Sequence, residues 1–266
     1  MSKVKQRRAR VLLVDIETSP ILGYVWSLWN NNVALNQVAT DWHVLSWSAK
    51  WLDDPAEKIM YMDQRGRRDI EDDARILKGI WKLLNQADVV ITHNGKKFDI
   101  KKLNARFIQH GFKPPSGFKH IDTYVIAKKK FGFTSNKLEY LADKLCVKYH
   151  KKQHKKYPGF ELWRQCLAGN LEAWEEMRTY NEHDVLVLEE LYRRMIPWDA
   201  GVNFQLYTDD ETGECHNCGG ETQRRGFSYT LVGKFQRYQC MSCGAWSRGR
   251  ENLFTDAKRK SLRVPV

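Results

Sequence analysis

The stretch Val11–Thr18, with the sequence VLLVDIET, determines how the rest of the chain is interpreted. Its first four residues are aliphatic and predict a buried strand that ends at Asp15. Side chains two positions apart in a strand point to the same face, so Asp15 and Glu17 project together. Carboxylates this close repel each other unless a cation lies between them. By itself the pair fits either a cation site or, more commonly, the acidic turn residues that end a strand.

Strand and helix patterns alternate through the next 180 or so residues. The strand patterns lie at His43–Trp51, Lys58–Met62 and Asp88–Thr92, and the first two predict an antiparallel meander after the opening strand. The helical patterns are a segment capped by Asp69 and Asp72, the segment Phe98–His110 before Gly111, a segment capped by Asn136 and Glu139, and Leu171–Met195 before Pro197. The segment His120–Ala127 fits either a strand or a helix start. This order predicts an α/β fold.

Asp99 lies where such folds place their sites. It follows the strand Asp88–Thr92, near the strand end that opens onto the crevice of an α/β sheet. It also begins the next helix, where a carboxylate is favourable on electrostatic grounds alone. Asp122 is a rival carboxylate, which we interpret as a structural hydrogen-bonding residue.

The long helix contributes a tyrosine and an aspartate. Tyr180 and Asp184 are four residues apart and share a helix face. Asn181 and His183 are expected to point elsewhere. An apolar stripe after Asp184 would hold the helix against the sheet and direct Asp184 inward.

In this order the motifs resemble the DEDD exonucleases. The motifs are Asp15-Ile16-Glu17-Thr18, Asn94-Gly95-Lys96-Lys97-Phe98-Asp99 and Tyr180-Asn181-Glu182-His183-Asp184. They are most similar to the subclass with tyrosine in the third motif, which includes the proofreading domains of family A and family B DNA polymerases. The histidine subclass would place histidine where Thr179 stands. The resemblance covers about residues 11–196.

The resemblance implies a ribonuclease-H-like mixed sheet flanked by helices and a two-metal-ion 3′–5′ exonuclease. Four carboxylates suit two Mg²⁺ or Mn²⁺ ions, which prefer oxygen ligands. Asp15 would bridge both ions, Glu17 and Asp184 would complete one site, and Asp99 would support the other. Tyr180 with Glu17 would orient the attacking water.

Candidate substrate contacts lie in both parts of the chain. We expect them from Thr18, Asn94 and Lys128, and from Arg224 and Arg237 near the C-terminus. Four aromatic residues are candidates for base stacking or for the core: Trp26, Trp29, Phe131 and Phe133.

The C-terminal part contains two Cys-x-x-Cys pairs. Cys215, Cys218, Cys240 and Cys243 can place four thiolates around one tetrahedral Zn²⁺. The stretch resembles a zinc ribbon, whose metal would be its main stabiliser. Basic and aromatic residues alternate through it, which fits contact with nucleic acid; a structural ribbon or a docking site for protein remains the alternative. Cys146 and Cys166 have apolar neighbours and are predicted core residues.

Charge and hydropathy define the partner class. The net charge is +12, and residues 101–160 hold 15 Lys and Arg against three acidic residues. This excess predicts a nucleic-acid partner, single-stranded 3′ ends above all. No apolar run approaches the length of a bilayer span, and the basic N-terminus lacks a signal peptide's apolar core. We expect a soluble cytoplasmic protein of a bacterium or a phage-infected host cell.

The predicted organisation has five parts. They are a basic arm at 1–10, the exonuclease domain at 11–200, a linker at 201–212, the zinc ribbon at 213–250 and a tail at 251–266. We expect a stand-alone enzyme, with DNA favoured, that acts in repair, degradation or trimming. Similarity to polymerase-associated phage nucleases also fits proofreading in trans for a polymerase or other replication protein. The alternatives are a structure-selective endonuclease, which Tyr180 disfavours, and a non-catalytic nucleic-acid-binding recruitment module, which the filled acidic positions disfavour.

Overall fold

The chain folds into two compact units. The computed structural model describes residues 9–150, 156–209 and 213–264. One unit is Arg10–Arg194, and the other is formed by the described residues from Met195 onward, with Ala9. The Lys- and His-rich stretch 148–159, which its composition predicts to be a basic loop, lies partly outside the described residues, as does most of the predicted basic arm. Within the described residues, no helix has the length and apolar character needed to cross a bilayer.

A five-stranded mixed sheet forms the centre of the larger unit. The strands of this unit are β1 (Val11–Thr18), β2 (Leu22–Gly23), β3 (Val38–Thr40), β4 (Val44–Trp51), β5 (Met60–Asp63), β6 (Val89–Thr92) and β7 (Lys119–Asp122). The sheet order is β5-β4-β1-β6-β7, while β2 and β3 pair separately. β1 pairs antiparallel with β4 and parallel with β6. The predicted meander β1-β4-β5 is confirmed, because β4 and β5 are antiparallel.

Six α-helices accompany this sheet in the part of the unit that the structure describes. They are α1 (Ala74–Leu84), α2 (Asp99–Gln109), α3 (Thr123–Lys130), α4 (Leu138–Leu145), α5 (Glu161–Leu167) and α6 (Leu171–Met195). α1 buries Ile76, Ile80 and Leu84 on one face, as its 3.6-residue periodicity predicts. Together with the mixed sheet, these helices give the predicted ribonuclease-H-like α/β architecture.

Two hydrophobic clusters pack against the central sheet, and the first four residues of β1 are buried aliphatic side chains. Leu12, Val14 and Ile16 pack with Trp47 of β4 and with α1 and α2. Leu45 packs in a second cluster with residues of α5 and α6, including Trp174. Full burial of each aliphatic side chain contributes about 1.5–3 kcal/mol. The sheet is therefore held by one cluster at β1, β4, α1 and α2 and by another at β4, α5 and α6.

Several element predictions need correction. β1 continues to Thr18, so Asp15 and Glu17 lie within the strand and not after it, because the ladder with β4 continues to Thr18, although the ladder with β6 ends at Leu13. Asn136 does not cap α4; Lys137 is the N-cap residue, and the Asn136 carbonyl contacts the His93 ring instead. The helix α5 was not predicted at all. The segment 120–127 is a strand followed by a helix, so both predicted alternatives occur in it.

The C-terminal unit contains a three-stranded antiparallel sheet. Its elements are β8 (Thr222–Thr230), β9 (Gly233–Cys240), β10 (Trp246–Arg248) and α7 (Asp256–Ser261), with sheet order β10-β9-β8. Gly219 and Gly244, one residue after each cysteine pair, have φ of 69° and 78°, a region that favours glycine. The hydrophobic cluster around the cysteines has only three buried members, Cys215, Cys240 and Ala245.

Candidate active site and cysteine cluster

β1 and α2 meet at the acidic motif. The backbone amide of Ile16 donates to Asp99 Oδ1 at 3.2 Å. Because Ile16 lies between Asp15 and Glu17, this bond places the Asp99 carboxylate beside the first acidic motif. Burial raises the pKa of Asp99 to about 7, opposed by the amides of Asp99 and Ile16 and reinforced by the charge of Asp122. A nearby cation would favour the ionised form of this group.

Tyr180 and Asp184 approach the same carboxylates from α6. The Tyr180 hydroxyl is hydrogen-bonded to Asp184, and the charges of Glu17 and Asp15 also act on it. Burial is the largest cause of a raised pKa at Tyr180, and these three carboxylates raise the pKa further. The hydroxyl therefore stays protonated. The structure therefore brings together all five residues predicted from the three motifs.

Asn181 also belongs to this cluster, contrary to the prediction that it points elsewhere. Its side-chain Nδ2 donates to Asp15 Oδ2 at 2.5 Å, and its Oδ1 accepts from Ser46 Oγ of β4 at 3.1 Å. Asn181 and Ser46 are fully buried. The prediction was wrong because a face assigned from Tyr180 and Asp184 alone ignores how closely α6 approaches β1 and β4. The polar Asn181, next to Tyr180 within a motif, was the available signal.

Asp122 holds the backbone of the second motif. Its carboxylate accepts from the amides of Asn94, Lys96 and Tyr124 at 2.8–3.0 Å. Asn94 has a φ of 67°, in the left-handed region. This backbone conformation costs free energy in a non-glycine residue, and residues that adopt it are concentrated at functional sites. At Gly95 an added Cβ would lie 2.2 Å from Thr92 Oγ1, so only glycine fits without rearrangement. The structural interpretation of Asp122 is confirmed.

Aromatic and basic side chains surround this region. Lys102 Nζ lies 3.5 Å from the Trp42 ring centroid and 5.5 Å from that of Phe98, the residue before Asp99. This stack was not predicted, because Trp42 and Lys102 are far apart in the chain. Trp26 is 99% exposed and Trp29 81% exposed, which excludes both from the core.

The other residues of this unit that were predicted to contact substrate lie at or near the ends of strands and helices. Thr18 ends β1 and is half-buried, and Lys128 is exposed in the last turn of α3. Phe131 and Phe133 stack on each other with centroids 5.1 Å apart. Their contact with nucleic acid stays a prediction.

Comparison with known families finds a match that covers most of this unit. The profile of the RNase_H superfamily matches residues 49–196, which is more than half of the chain. The chain belongs to the RNase_H superfamily. The matched range includes Asp99, Tyr180 and Asp184, while Asp15 and Glu17 precede it. Membership supports a nucleic-acid-processing nuclease.

Structural comparison gives the same fold for this RNase_H superfamily member. The family B DNA polymerase from the hyperthermophilic archaeon Pyrobaculum calidifontis is similar with a TM-score of 0.52 and 18% identity. The match covers 71% of this chain and 25% of the polymerase chain. A comparison with curated protein sequences finds no match.

Outside the matched range, the four cysteines of the C-terminal unit form a compact cluster. The ligand atoms of Cys215, Cys218, Cys240 and Cys243 lie within 4.8 Å of one another. Cys215 Sγ is 3.6 Å from Cys243 Sγ, and Cys218 Sγ is 3.6 Å from Cys240 Sγ. Four sulfurs at this spacing fit a tetrahedral zinc site of a zinc ribbon.

Backbone amides support negative charge on these sulfurs. Asn217 N donates to Cys215 Sγ at 3.4 Å, and Ser242 N donates to Cys240 Sγ at 3.3 Å. Burial raises the pKa of Cys240, but the amides of Cys243 and Ser242 and the neighbouring thiols lower it further, to about 7. Burial raises the pKa of Cys218 to about 11 and also raises that of Cys243. It likewise raises the pKa of Cys146 to about 11 and that of Cys166 to about 12, as expected for core thiols.

The two predicted arginine contacts of this unit lie on opposite faces of its sheet. Arg224 pairs with Tyr238 across β8 and β9, and cross-strand partners share a face. Arg237 is the neighbour of Tyr238 in β9 and therefore points to the other face. One flat surface cannot use both arginines.

Proposed function

We propose that this RNase_H superfamily protein is a metal-dependent 3′–5′ exonuclease that hydrolyses phosphodiester bonds at single-stranded 3′ ends, with DNA favoured. The observation that carries the proposal is the bond from Ile16 N to Asp99 Oδ1, since it joins the first and second acidic motifs. Tyr180 and Asp184 add the third motif to the same cluster of charges.

The donor set fits two Mg²⁺ or Mn²⁺ ions. Asp15, Glu17, Asp99 and Asp184 offer only carboxylate oxygens, which hard divalent cations prefer. Among the described residues, only the cysteines bring three or more ligand atoms within 4.8 Å. In such sites the two ions lie about 4 Å apart. When bound, the ions would activate water and stabilise the leaving 3′ oxygen.

The assignment gives each residue one task. Asp15 would hold both ions, Glu17 and Asp184 one of them, and Asp99 the other. Tyr180, with a hydroxyl that stays protonated, is suited to position the attacking water together with Glu17. Asn181 would keep the Asp15 carboxylate in one orientation through its bond at 2.5 Å. Thr18 and Asn94 are proposed to contact the terminal nucleotide.

The cysteine cluster is proposed to hold one structural Zn²⁺. The mutual sulfur distances and the amide donors fit a closed four-thiolate site with no position left for substrate. His216 is not required as a ligand, because four cysteines already complete the coordination.

The biological setting follows from the resemblance to proofreading domains. We propose that the enzyme acts in the cytoplasm of a bacterium or phage-infected cell, in trans to a DNA polymerase or another replication protein. The excess of Lys and Arg in residues 101–160 would attract the substrate strand.

The decisive experiment uses purified protein with oligonucleotides labelled at either end. Single strands, duplexes and RNA are incubated with Mg²⁺, Mn²⁺ or chelator, beside an Asp15→Ala variant. We expect a metal-dependent ladder that shortens from the 3′ end and is absent with Asp15→Ala. A discrete internal cut would instead identify a structure-selective endonuclease. Binding without turnover in every metal would identify a recruitment module.

A further inference from the structure

One face of the C-terminal sheet has a regular arrangement of arginine and aromatic side chains. Arg248 of β10 is the cross-strand partner of Arg237 of β9, and Trp246 is the partner of Gln239. Phe235 shares the face of Arg237, because side chains two apart in a strand point the same way. We call Phe235, Arg237, Trp246 and Arg248 the arginine face. Its two arginines are central, with an aromatic ring beyond them in each direction.

Each arginine of this face stacks diagonally on the ring of the other strand. Arg237 Cζ lies 4.7 Å from the Trp246 ring centroid, and Arg248 Cζ lies 4.1 Å from that of Phe235. Arg237, Arg248 and Trp246 are exposed, and Phe235 is half-buried. Stacking restricts two long side chains that would otherwise move freely, so less conformational entropy is lost when a ligand binds.

A β-bulge fixes Arg237 further. The β8–β9 register shifts between Arg224 and Phe227, and the carbonyl of Arg225 within this bulge accepts from Arg237 Nε at 3.0 Å. Bulges often redirect side chains at functional sites. One edge of the guanidinium is therefore held by the backbone, while its remaining N–H groups can reach a ligand.

The charge of this face is not neutralised within the ribbon. In the part of the chain that the structure describes, no salt bridge involves Arg237 or Arg248. Residues 213–250 hold six Lys and Arg against two acidic residues. Like charges directly opposite each other destabilise a sheet, so a bound anion between them would relieve repulsion. The electrostatics thus favour a polyanionic ligand.

We propose that the arginine face binds a segment of single-stranded nucleic acid, with its phosphates on Arg237 and Arg248 and its bases against Trp246 and Phe235. Two cations flanked by two rings match the alternation of phosphate and base in a single strand. An acidic protein segment would satisfy the charges and leave the rings without a planar partner. This binding is independent of the hydrolysis proposed above, because all four residues belong to the C-terminal unit.

The test measures binding of a fluorescent single-stranded thymidine oligonucleotide to the zinc-loaded full chain over a series of NaCl concentrations. Mg²⁺ and Mn²⁺ are omitted, and a gel verifies that the oligonucleotide stays intact. We expect Arg237→Gln with Arg248→Gln to reduce the slope of log affinity against log salt by about 1.4, since each single-strand phosphate contact contributes about 0.7. Trp246→Ala should weaken binding about tenfold with little change in slope.

The matched control removes two charges elsewhere in the same unit. Lys258→Gln with Lys260→Gln has the same net charge as the test variant, and both residues are exposed on α7. We expect its salt slope to stay within about 0.5 of the wild type. An equal loss in both double variants would show diffuse attraction and overturn the proposal.

Two further measurements keep the result interpretable. Arg237→Lys with Arg248→Lys preserves charge, so it should retain most of the salt slope but lose affinity through weaker stacking. Zinc content and thermal unfolding verify that every variant is folded. Unchanged oligonucleotide binding by the folded glutamine variant would overturn the proposal. So would a poly-glutamate peptide that competes as well as an unlabelled oligonucleotide.

Discussion

The acidic cluster of the RNase_H unit and the cysteine cluster of the C-terminal unit are assembled in opposite ways. Asp15 meets Asn181 across 166 positions of chain, and Ile16 meets Asp99 across 83. The cysteines come from two turns of one short unit, around a hydrophobic cluster of three buried residues. In the first region a large core creates the site. In the second, the proposed metal would create the fold.

The largest expected effect is the loss of zinc. Cys240→Ser with Cys243→Ser should abolish zinc binding and unfold the ribbon, because structural zinc contributes about 10–16 kcal/mol in small zinc-dependent units. The RNase_H unit should keep its own thermal transition, since its core is separate. Metal analysis and calorimetry measure both. Met241→Ala, an exposed neighbour of Cys240, serves as the control that keeps zinc. A zinc-free wild type would contradict the assignment.

Removal of one proposed metal ligand tests the acidic cluster. Asp184→Asn should lower turnover at least about 1,000-fold, because a ligated metal supplies several kcal/mol to the transition state. The fold and substrate binding should persist, as the two side chains are nearly equal in shape. Turnover and circular dichroism are measured beside Glu182→Gln, a residue of the same helix that pairs with Arg178. An unfolded Asp184→Asn protein would refute the catalytic role.

A smaller effect is expected at Asn181. Asn181→Ala should lower kcat about 10- to 100-fold with KM little changed, as loss of residues that orient metal ligands commonly does. The Mg²⁺ concentration for half-maximal activity should rise about tenfold, which a purely structural defect would not produce. Asn181→Asp should be worse than alanine, because it places a like charge against Asp15.

The control for Asn181 is Ser46, its other hydrogen-bond partner. Ser46→Ala removes the bond to Asn181 Oδ1 but leaves the bond to Asp15 intact. We expect less than about a tenfold loss of kcat and a non-additive double variant, because the two residues act through one contact. An additive double variant with an unchanged metal requirement would refute the positioning role.

The smallest predicted effect concerns pH. Glu190 of α6 accepts from the amides of Val147, Lys148 and Tyr149, which hold the start of the basic loop. Burial raises the pKa of Glu190, but these amides lower it further, with a net shift below the ordinary 4.5. Since the folded pKa is depressed, this stabilisation is present above the unfolded pKa and is lost as pH falls through the folded value.

Glu190→Gln should therefore flatten the acid limb of the stability curve below about pH 4.5 and lower the free energy of unfolding at pH 7 by about 1–2 kcal/mol. Denaturant titrations from pH 3 to 7 measure both quantities. Glu139→Gln, an exposed glutamate of α4, is the matched control. Equal pH profiles for the two variants would show that the amide contacts add no stability.

The elements with strong local patterns were predictable. The bounds of α6 were predicted as observed, since a long apolar stripe between Leu171 and Pro197 leaves little choice. α5 was missed because seven residues give too few turns for a periodic signal. The incorrect cap at Asn136 shows the same limit, because the carbonyl of that residue is engaged by His93 from another part of the chain.

The sequence by itself determined the α/β class, the order of the acidic motifs and the four cysteines, because periodicity and spacing are local properties of the chain. The tertiary structure alone decided that Asn181 faces Asp15, that Asp122 holds the second motif, and that Arg237 and Arg224 lie on opposite faces. These contacts depend on how closely helices and strands approach and on a bulge that shifts register. The local sequence pattern reveals neither the approach distances nor the bulge, because both result from packing between segments distant in the chain.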